Sequence, residues 1–481
     1  MWFRRDLRLA DNRALLAAAA GGRTVLPVYV HDDEDAGAWR PGGASRWWLH
    51  HSLEQLSRDL SQKGSGLILR RGPAVEALLK LAAETGASSI HFCRCYESHA
   101  VAVESDLKTA CDAAGISLHR HAGNLLFEPE ALRTRSGQPF RVFSPFWRAA
   151  LEAEPPRSPL PAPRHLARPQ RWPQSDRLDE YELRPVKPDW ALGLHQSWKP
   201  GEAGAAQRLS SFIDRQVSQY AGKRDRPDLS ATSRLSPHLH FGELSPTQAW
   251  HAAAMARDLQ QDARQGVDSF LRELGWREFS YHLLFHWPEI TDRPFRPEFD
   301  NFPWQDPSGS TRTLVDAWKR GRTGYPIIDA GMRQLWQTGW MHNRVRMIAA
   351  SFLTKHLRVS WQIGANWFWD TLVDADLANN SASWQWVAGS GADAAPYFRI
   401  FNPELQGIKF DPDGAYVRSF VPELAEMPAP LIHAPWKASE HLRRTAGVVL
   451  GQTYPFPIVD HADARQAALA AHQHVKAAST L

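Results

Sequence analysis

Residues 66 to 92 read GLILRRGPAVEALLKLAAETGASSIHF, and this stretch sets the fold class of the N-terminal part of the chain. Two short apolar runs, 66–70 and 88–92, predict strands, and the apolar spacing over 74–85 predicts a helix between them. The residues before this stretch repeat the pattern, with a buried strand predicted over 24–30 and a helix over 46–62. Strands that alternate with helices predict a parallel, Rossmann-like sheet with helices on both faces.

The rest of the chain changes character twice. Nine prolines fall within residues 155–188, and because proline lacks a backbone donor and disfavours helix before it, this segment is predicted to be an extended connector. Further on, the apolar spacing is helical, with predicted helices over 205–219, 246–260, 266–285, 311–321, 326–338, 342–356, 363–372 and 463–476. We therefore predict an α/β domain over 1–130, a connector over 131–201 and an all-α domain over 202–481.

Composition narrows the functional classes. The 481 residues carry a formal net charge of +4 with an isoelectric point near 8.9, a mild basic excess that is compatible with a nucleic-acid partner. Three cysteines, Cys93, Cys95 and Cys111, without a matching set of histidines, argue against a disulfide framework and against structural zinc, and favour a reducing cytoplasm. No segment approaches the roughly 20 apolar residues of a membrane span.

Residues 374–386 read DADLANNSASWQW and combine two carboxylates, an amide pair and two indoles. Buried carboxylates need partners, so this mixture predicts that a planar, redox-active group binds here. Trp384 and Trp386 are two residues apart and project to nearly opposite sides of a helix, so they cannot share one partner. The alternative is that these are ordinary core residues, because the chain has 21 tryptophans.

Two further patterns lie on predicted helices. Glu273, Trp276 and Arg277 are spaced i, i+3, i+4, which places an acid, an indole and a guanidinium on one helical face, although a surface salt bridge beside a core tryptophan would give the same spacing. On the helix predicted over 342–356, Asn343 and Met347 share a face with Arg344 beside them, and an amide, a thioether and a cation predict the floor of a site for a flat ligand beside a phosphate. Arg346 projects elsewhere and could pair with an aspartate of the 374–386 segment.

Residues 232–236 place small hydroxyls and an arginine directly before a helix start. Such a run suits a phosphate or pyrophosphate, although a plain helix N-cap has the same composition. The residues of this run are Thr232, Ser233, Arg234, Leu235 and Ser236, with Tyr220 and Arg224 shortly before it.

Trp304, Trp361 and Trp384 lie in the same predicted domain, and a chain of indoles could carry an electron between a buried cofactor and the surface. Three core tryptophans are the alternative.

Taken together, these motifs resemble the cryptochrome/DNA photolyase family over essentially the whole chain. The matching segments are 2–8 (WFRRDLR), 232–236, 276–279, 324–326, 340–344, 374–377 and 393–403. The resemblance implies an N-terminal α/β domain and a C-terminal helical domain that holds FAD folded into a U. It also implies a light-driven lyase that acts on damaged DNA.

Cofactor contacts follow from the resemblance. It implies that residues 232–236 and Tyr220 contact the pyrophosphate and ribityl chain, that Asp374 and Asp376 flank the flavin and ribose, and that Arg346 pairs with Asp374. Arg277 and Asn343 join the implied flavin-binding set. Asn380 corresponds to the residue that faces flavin N5. Plant-type cryptochromes place aspartate there, and because asparagine cannot supply a proton, Asn380 favours the fully reduced flavin of a repair enzyme.

The resemblance also implies a substrate. A flipped cyclobutane pyrimidine dimer would stack against Trp276 and Trp386, with Glu273 and Asn343 hydrogen-bonding the dimer. Asn343 and Met347 resemble enzymes for this lesion and not those for the 6-4 photoproduct. Arg224, Arg344 and Arg399 resemble the family's phosphate contacts. The alternatives that remain are a blue-light receptor without repair activity and a 6-4 photoproduct photolyase.

Three further expectations complete this interpretation. Residues 93–97 could place Glu97 near an antenna pigment, for which a folate (methenyltetrahydrofolate) is expected in preference to a deazaflavin. The partner is expected to be UV-damaged DNA, bound by a monomer that does not associate with membranes. The protein is expected in a bacterial-type cytoplasm, associated with the nucleoid when it is on DNA.

Overall fold

The computed structural model describes residues 1–32, 37–394 and 398–478. The chain forms two compact units. The first comprises Met1–Ala221, Ser233–Pro288 and Val373–Ala378, and the second comprises Gly222–Thr232, Glu289–Leu372 and Asn379–Leu481. The domain limits drawn from the sequence (1–130, 131–201 and 202–481) remain predictions.

The first unit contains a parallel sheet of five strands. The strands are β1 (Trp2–Phe3), β2 (Val28–His31), β3 (Ile68–Arg71), β4 (Ser89–Cys93) and β5 (Ser117–His121), in the order β3-β2-β1-β4-β5. The α/β fold class is confirmed. β2 begins four residues later than predicted, because Pro27 has no N–H to donate and pairing starts when the N–H of Val28 donates to the Met1 carbonyl over 2.8 Å.

Four helices accompany the sheet: α1 (Arg13–Ala19), α2 (Gly43–Gln62), α3 (Ala74–Thr85) and α4 (Ser98–Ala114). Leu78 and Leu81 of α3 and Leu107 of α4 pack with Ile68 and Phe92 of the strands in one buried core. The predicted bounds of α3 agree with the structure. The αL conformation of Gly86, at φ +68°, closes that helix.

The proline-rich connector is fastened to the α/β part. Leu166 is fully buried, and its N–H donates to the Lys63 carbonyl over 2.9 Å. Thr24 and Ala167 form a parallel β-bridge, and the hydroxyl of the buried Tyr181 donates to Asp176 over 3.2 Å. The connector therefore contains a short 3₁₀ turn, Leu178–Tyr181, within an otherwise irregular segment, and at these points it is part of the core.

The first unit also contains helices α5 (Phe143–Glu152), α6 (Leu192–Ser197), α7 (Glu202–Arg215), α9 (Ser236–His240), α10 (Pro246–Leu259) and α11 (Arg264–His286), while α8 (Val217–Lys223) begins in it. The single helix predicted over 205–219 is wrong, because the chain breaks at Gln216, with φ −125°. A Cβ on Gly266 of α11 would lie 1.7 Å from the Val217 carbonyl oxygen. This close approach of two backbones holds Val217 in the core and fixes the break.

The second unit is helical. Its helices are α12 (Gly309–Lys319), α13 (Pro326–Thr338), α14 (Asn343–Ser351), α15 (Trp361–Thr371), α16 (Leu377–Ala388, whose first two residues belong to the first unit), α17 (Pro403–Phe410), α18 (Ala415–Phe420), α19 (Ala429–Ile432), α20 (Glu440–Thr445) and α21 (His461–Ala478). The helix predicted over 342–356 is α14 followed by a π-helical turn, Phe352–His356. Within the described ranges, no helix is long and apolar enough to cross a membrane.

Candidate functional site

The residues singled out from the sequence divide between the two units. The first unit holds Tyr220, Ser233, Arg234, Leu235, Ser236, Glu273, Trp276, Arg277, Asp374 and Asp376. The second unit holds Arg224, Thr232, Trp304, Asn343, Arg344, Arg346, Met347, Trp361, Asn380, Trp384, Trp386 and Arg399. Their roles remain predictions, as does the pairing of Arg346 with Asp374.

Asp376 is the centre of a buried polar network in the first unit. Its carboxylate accepts a hydrogen bond from the Tyr281 hydroxyl over 2.5 Å and lies 3.3 Å from Nδ1 of His240. Burial opposes ionisation of this group. The hydrogen bond with His240, together with the charges of Arg277 and Arg5, outweighs burial and holds the pKa of Asp376 below its usual range. Asp376 is therefore a fixed negative charge inside the unit.

The two arginines whose charges stabilise the Asp376 carboxylate, Arg5 and Arg277, have further partners of their own. Arg5 forms an ion pair with Glu97, which is only 1% exposed. Arg277 of α11 donates to the Asn124 carbonyl over 3.0 Å, and its guanidinium carbon lies 4.9 Å from the centre of the Tyr281 ring. The network contains both signs of charge, which limits the cost of burying it.

Glu97 is the residue that the sequence places near an antenna pigment. Its carboxylate pairs with Arg5 and is shielded from solvent. The position of Glu97 beside such a pigment remains a prediction.

Glu278, the neighbour of Arg277, extends the network, but its pKa is raised whereas that of Asp376 is lowered. Its carboxylate accepts the backbone N–H groups of Leu126 and Phe127 over 2.8 and 3.1 Å and lies 3.3 Å from Arg277. Burial nevertheless dominates and raises the pKa of Glu278 to about 7. This group consequently exchanges its proton near neutral pH.

Glu278→Gln is expected to change how stability depends on pH. An acid whose pKa is raised in the folded state stabilises the fold most at low pH, and this contribution is lost as the pH rises through about 7. The free energy of unfolding of the variant, relative to that of the parent, should therefore rise by about 2 kcal/mol between pH 5 and pH 8. Denaturant unfolding at several pH values measures this gain, with the exposed Glu76→Gln as the chemical control. A constant difference between parent and variant at all pH values would contradict it.

The predicted phosphate-binding run lies at the start of α9 in the same unit, apart from Thr232. The Ser236 hydroxyl is exposed and donates to Asp374 over 2.6 Å, and the Leu235 N–H donates to the Ser233 hydroxyl over 3.4 Å. Arg234 adopts φ +50°, an uncommon conformation for a residue with a side chain. The backbone is thus turned sharply between the two serines. Hydroxyls and a carboxylate in this arrangement fit the phosphates and sugar hydroxyls of a flavin nucleotide.

Glu273 and Trp276 lie half-buried on α11, one turn apart. The indole of Trp276 stacks on Phe143 of α5, with ring centres 3.7 Å apart and planes 8° from parallel. Gly275 permits the approach of Trp147, whose ring would lie 2.4 Å from a Cβ at that position. The side of Trp276 away from Phe143 thus forms a rigid aromatic platform with a carboxyl group beside it.

In the second unit, helix α16 carries Asn380 and two indoles with different surroundings. The buried Asn380 amide donates to the Ala365 carbonyl over 3.1 Å, which fixes the orientation of the side chain. Trp384 is 3% exposed and contacts the rings of Phe368 and Trp318, at centre distances of 5.0 and 6.3 Å. Trp386 is half-buried and lines a small cavity together with Arg399.

Helix α14 carries the predicted DNA contacts Asn343, Arg344 and Met347 and the predicted cofactor contact Arg346. Arg344 donates to Asp225 over 2.8 Å, and its guanidinium carbon lies 4.6 Å from the centre of the Phe410 ring. Arg346 donates to the Met341 carbonyl over 2.7 Å. Asn343 is exposed and Met347 half-buried. Arg344 is thus held in place before any nucleic acid binds.

The proposed chain of indoles has two further members, both in the second unit. Trp361 is 3% exposed and begins α15, and Trp304 is half-buried against Phe302, with ring centres 4.3 Å apart. An electron route through Trp384, Trp361 and Trp304 remains a prediction. The motif over 393–403 includes residues 395–397, which lie outside the described residues.

Sequence reasoning missed several members of the buried network, namely Arg5, His240, Tyr281 and Glu278. Arg5 and Glu278 lie inside segments that carry the family resemblance, 2–8 and 276–279, so those segments were the available signal. Tyr281 follows Arg277 by four residues on α11, a spacing that places the two side chains on one face. No local pattern marks His240, because its partner Asp376 is 136 positions away.

Two protein-family models match the chain. The model described as DNA photolyase matches residues 1–164, and the model described as the FAD binding domain of DNA photolyase matches residues 270–474. The second match includes the platform of α11, the carboxylates Asp374 and Asp376, and Asn380.

Individual proteins are similar over nearly the whole chain. A deoxyribodipyrimidine photo-lyase of Agrobacterium fabrum is 51% identical over 99% of this chain and 98% of its own length. A crystal structure of a bacterial class III photolyase from Agrobacterium tumefaciens matches with a TM-score of 0.94 and 50% identity, covering 99% of this chain and 97% of that one. Cryptochrome-1 of Arabidopsis thaliana is 38% identical over 97% of this chain and 69% of its own.

Proposed function

The chain belongs to the cryptochrome/DNA photolyase family, and we propose that it is a deoxyribodipyrimidine photo-lyase, an FAD enzyme that uses blue light to split cyclobutane pyrimidine dimers in DNA. The observation that carries the proposal is the platform on α11. Trp276 is held flat by Phe143, and Glu273 lies one turn before it. A pyrimidine pair turned out of the duplex needs such a stacking surface and a hydrogen-bonding group at its edge.

The cofactor side of the proposal rests on chemistry that each unit offers by itself. In the first unit, Ser236 and Asp374 offer hydroxyl and carboxylate groups to a flavin nucleotide, and Asp376, stabilised by the charge of Arg277, offers a fixed negative charge. In the second unit, Asn380 offers a fixed amide. FAD bound by these residues would supply light-driven one-electron chemistry to the dimer.

The protein's own residues then have distinct tasks. Trp276 orients the dimer by stacking, and Trp386 is proposed as a stacking residue of the second unit. The Asn343 amide donates a hydrogen bond to a pyrimidine carbonyl, and Glu273 hydrogen-bonds the edge of the dimer, where negative charge would develop during the reaction. Arg224, Arg344 and Arg399 bind phosphates on either side of the lesion. Because Asp225 and Phe410 already orient Arg344, little side-chain entropy is lost when it binds a phosphate.

Asn380 supports repair in preference to light signalling. An amide cannot supply a proton to the flavin, whereas an aspartate could. The greater identity to a photo-lyase than to a cryptochrome, 51% against 38%, agrees with this choice.

The proposal is tested with the full-length protein and an oligonucleotide that contains one thymine dimer. Under reducing conditions, blue light should restore intact thymines catalytically, and darkness should not. Denaturation should release one flavin with its adenine attached per chain. Release of flavin mononucleotide, or light-independent loss of the dimer, would exclude the proposed chemistry.

Trp384→Phe is expected to slow light-driven reduction of the oxidised cofactor sharply, while repair by enzyme that was reduced beforehand continues. The substitution keeps an aromatic ring against Phe368 and Trp318 but removes the more easily oxidised indole. Transient absorption and repair assays measure the two steps separately. Trp47→Phe, a fully buried tryptophan of the first unit, is the matched control. Equal photoreduction in both variants would remove Trp384 from the route.

We further infer a folate antenna in preference to a deazaflavin, a monomeric enzyme, and action in the cytoplasm on nucleoid DNA. Absorbance of the extracted pigments identifies the antenna. Sedimentation of the protein with and without DNA gives its oligomeric state.

A further inference from the structure

The second unit contains a small basic cavity of about 50 Å³. Its walls include Arg296, Lys355, Trp386, Arg399, His472 and Lys476. None of the described residues that line it is acidic. A cavity of this volume accommodates a few water molecules or one small oxyanion.

Lys355 is the decisive residue of this cavity. It is 1% exposed, and its ammonium group donates to the Ala388 carbonyl over 2.9 Å and lies 3.1 Å from the centre of the Phe398 ring. Among the described residues, no carboxylate lies within ion-pair distance of it. An ammonium group has three N–H donors, so one carbonyl and one ring leave it under-compensated for burial. Burial accordingly lowers the pKa of Lys355 well below its usual range.

The backbone holds this charge in place. Lys355 lies in the π-helical turn Phe352–His356, a wide turn that often marks functional positions. Across from it, Gly389 adopts φ +95°, and a Cβ there would lie 3.6 Å from the lysine nitrogen and 3.3 Å from the Phe398 ring. A glycine in this conformation keeps the space beside the ammonium group open.

His472 of α21 contributes a second polar group that lacks a partner. Its Nδ1 is buried, and no hydrogen-bond partner lies near it among the described residues. Its ring stacks on Phe398, with ring centres 4.4 Å apart and planes 8° from parallel. Burial and the neighbouring cations Lys476, Lys355 and Arg296 lower the pKa of His472 to about 4. The ring is therefore neutral at pH 7 and can donate from one nitrogen.

We propose that this cavity binds one phosphate group, with the ammonium group of Lys355 at its base and His472 at its side. Phosphate oxygens would accept from the remaining donors of the ammonium group and compensate its charge, and the cavity of about 50 Å³ has room for a small group. Arg296 lines the cavity, but it is already paired with Glu298 over 2.8 Å, so it adds less positive charge to the cavity than Lys355 does. Burial favours the neutral amine of Lys355, and a bound phosphate would stabilise the ammonium form, which water or a neutral ligand does not.

We assign the phosphate to the DNA strand. Trp386, predicted to stack on the dimer, and Arg399, predicted to bind a backbone phosphate, line the same cavity. This assignment rests on the proposed function, whereas the anion site itself does not. A free phosphate monoester offers the same chemistry, and competition between the two sources distinguishes them.

The site is tested first with inorganic phosphate and the full-length protein. Calorimetry should show one phosphate bound per chain, and phosphate should raise the melting temperature. Lys355→Met should weaken phosphate binding roughly tenfold or more, because a charged hydrogen-bond donor is lost. Without phosphate, the variant should be at least as stable as the parent, since a buried amine with too few hydrogen-bond partners has been replaced by an apolar side chain. Arg312→Gln, an exposed arginine of α12 that does not line the cavity, controls for the loss of one positive charge.

His472→Phe provides an independent variant. It keeps a ring stacked on Phe398 but removes the donor, and it should also weaken phosphate binding while Arg312→Gln does not. Undetectable phosphate binding by the parent, or equal binding by the parent and both cavity variants, would overturn the site and leave the repair function untouched.

The source of the phosphate is tested by competition at constant ionic strength. If a DNA phosphate occupies the cavity, inorganic phosphate should weaken the binding of dimer-containing DNA to the parent more than chloride does. For Lys355→Met, phosphate and chloride should weaken DNA binding equally. For Lys355→Met, the slope of log K for DNA binding against the logarithm of the salt concentration should also decrease in magnitude by about one unit. Phosphate binding without competition would overturn the assignment to DNA.

Discussion

Trp276→Ala is expected to weaken the binding of dimer-containing DNA by roughly 5- to 150-fold, because stacking on an aromatic platform contributes about 1 to 3 kcal/mol per base. The structure argues for a large effect within this range. Phe143 holds the indole flat at 3.7 Å, so the platform is already ordered before the substrate arrives. Titration of the full-length enzyme with a dimer-containing oligonucleotide in the dark measures the loss.

Two further variants test whether the loss of binding is specific to the platform tryptophan and to the carboxyl group beside it. Trp172→Ala removes a partly exposed tryptophan of the connector, packed near Gly66, and should leave DNA binding unchanged. Glu273→Gln keeps the shape beside the platform but removes the acid, and should lower the yield of repair per absorbed photon more than it lowers binding. Loss of affinity with full yield in Glu273→Gln would contradict the role given to that carboxyl group, and unchanged affinity in Trp276→Ala would remove the platform.

Asp376→Ala is expected to destabilise the protein by about 3 kcal/mol or more and to release the flavin. Removal of one partner from a buried ionic network leaves the others without a counter-charge. Asp376 accepts the Tyr281 hydroxyl, lies beside His240, and is held ionised by nearby Arg277 and Arg5. Denaturant unfolding and the ratio of flavin to protein after purification measure the two effects.

Graded variants identify the cause of that loss. Asp376→Asn retains an acceptor for Tyr281 but not the charge, so its stability should fall between those of the parent and Asp376→Ala. Asp370→Asn changes an exposed carboxylate of α15 and serves as the control. If Asp376→Asn matched the parent in stability and flavin content, the hydrogen bonds and not the charge would be responsible.

Local signals account for the elements whose bounds were predicted well. Helix α13 begins at Pro326 and ends before Gly339, which adopts φ +65°, and both residue types act on their own immediate backbone. Helix α3 ends in the same way before Gly86. By contrast, the break at Gln216 depends on Gly266, which lies fifty positions later and brings another backbone against Val217.

The candidate site shows the same division. The spacing of Glu273, Trp276 and Arg277 placed them on one helical face, and the family resemblance drew attention to Asp374, Asp376 and Asn380. The partners that define their chemistry are distant in the chain. Phe143 meets Trp276 across 133 positions, and Tyr281 meets Asp376 across 95. No periodicity or motif contains such a pairing.

Periodicity, proline and glycine placement, and motif order were enough to establish the parallel sheet, the helical remainder and the family, because each of these signals is written in neighbouring residues. Charge states and cavities were not accessible in that way. Glu278, with a pKa near 7, and the buried ammonium group of Lys355 are ordinary charged residues in the sequence. Their properties arise from desolvation, which depends on how many atoms of remote segments replace water around them, and only the folded chain determines that.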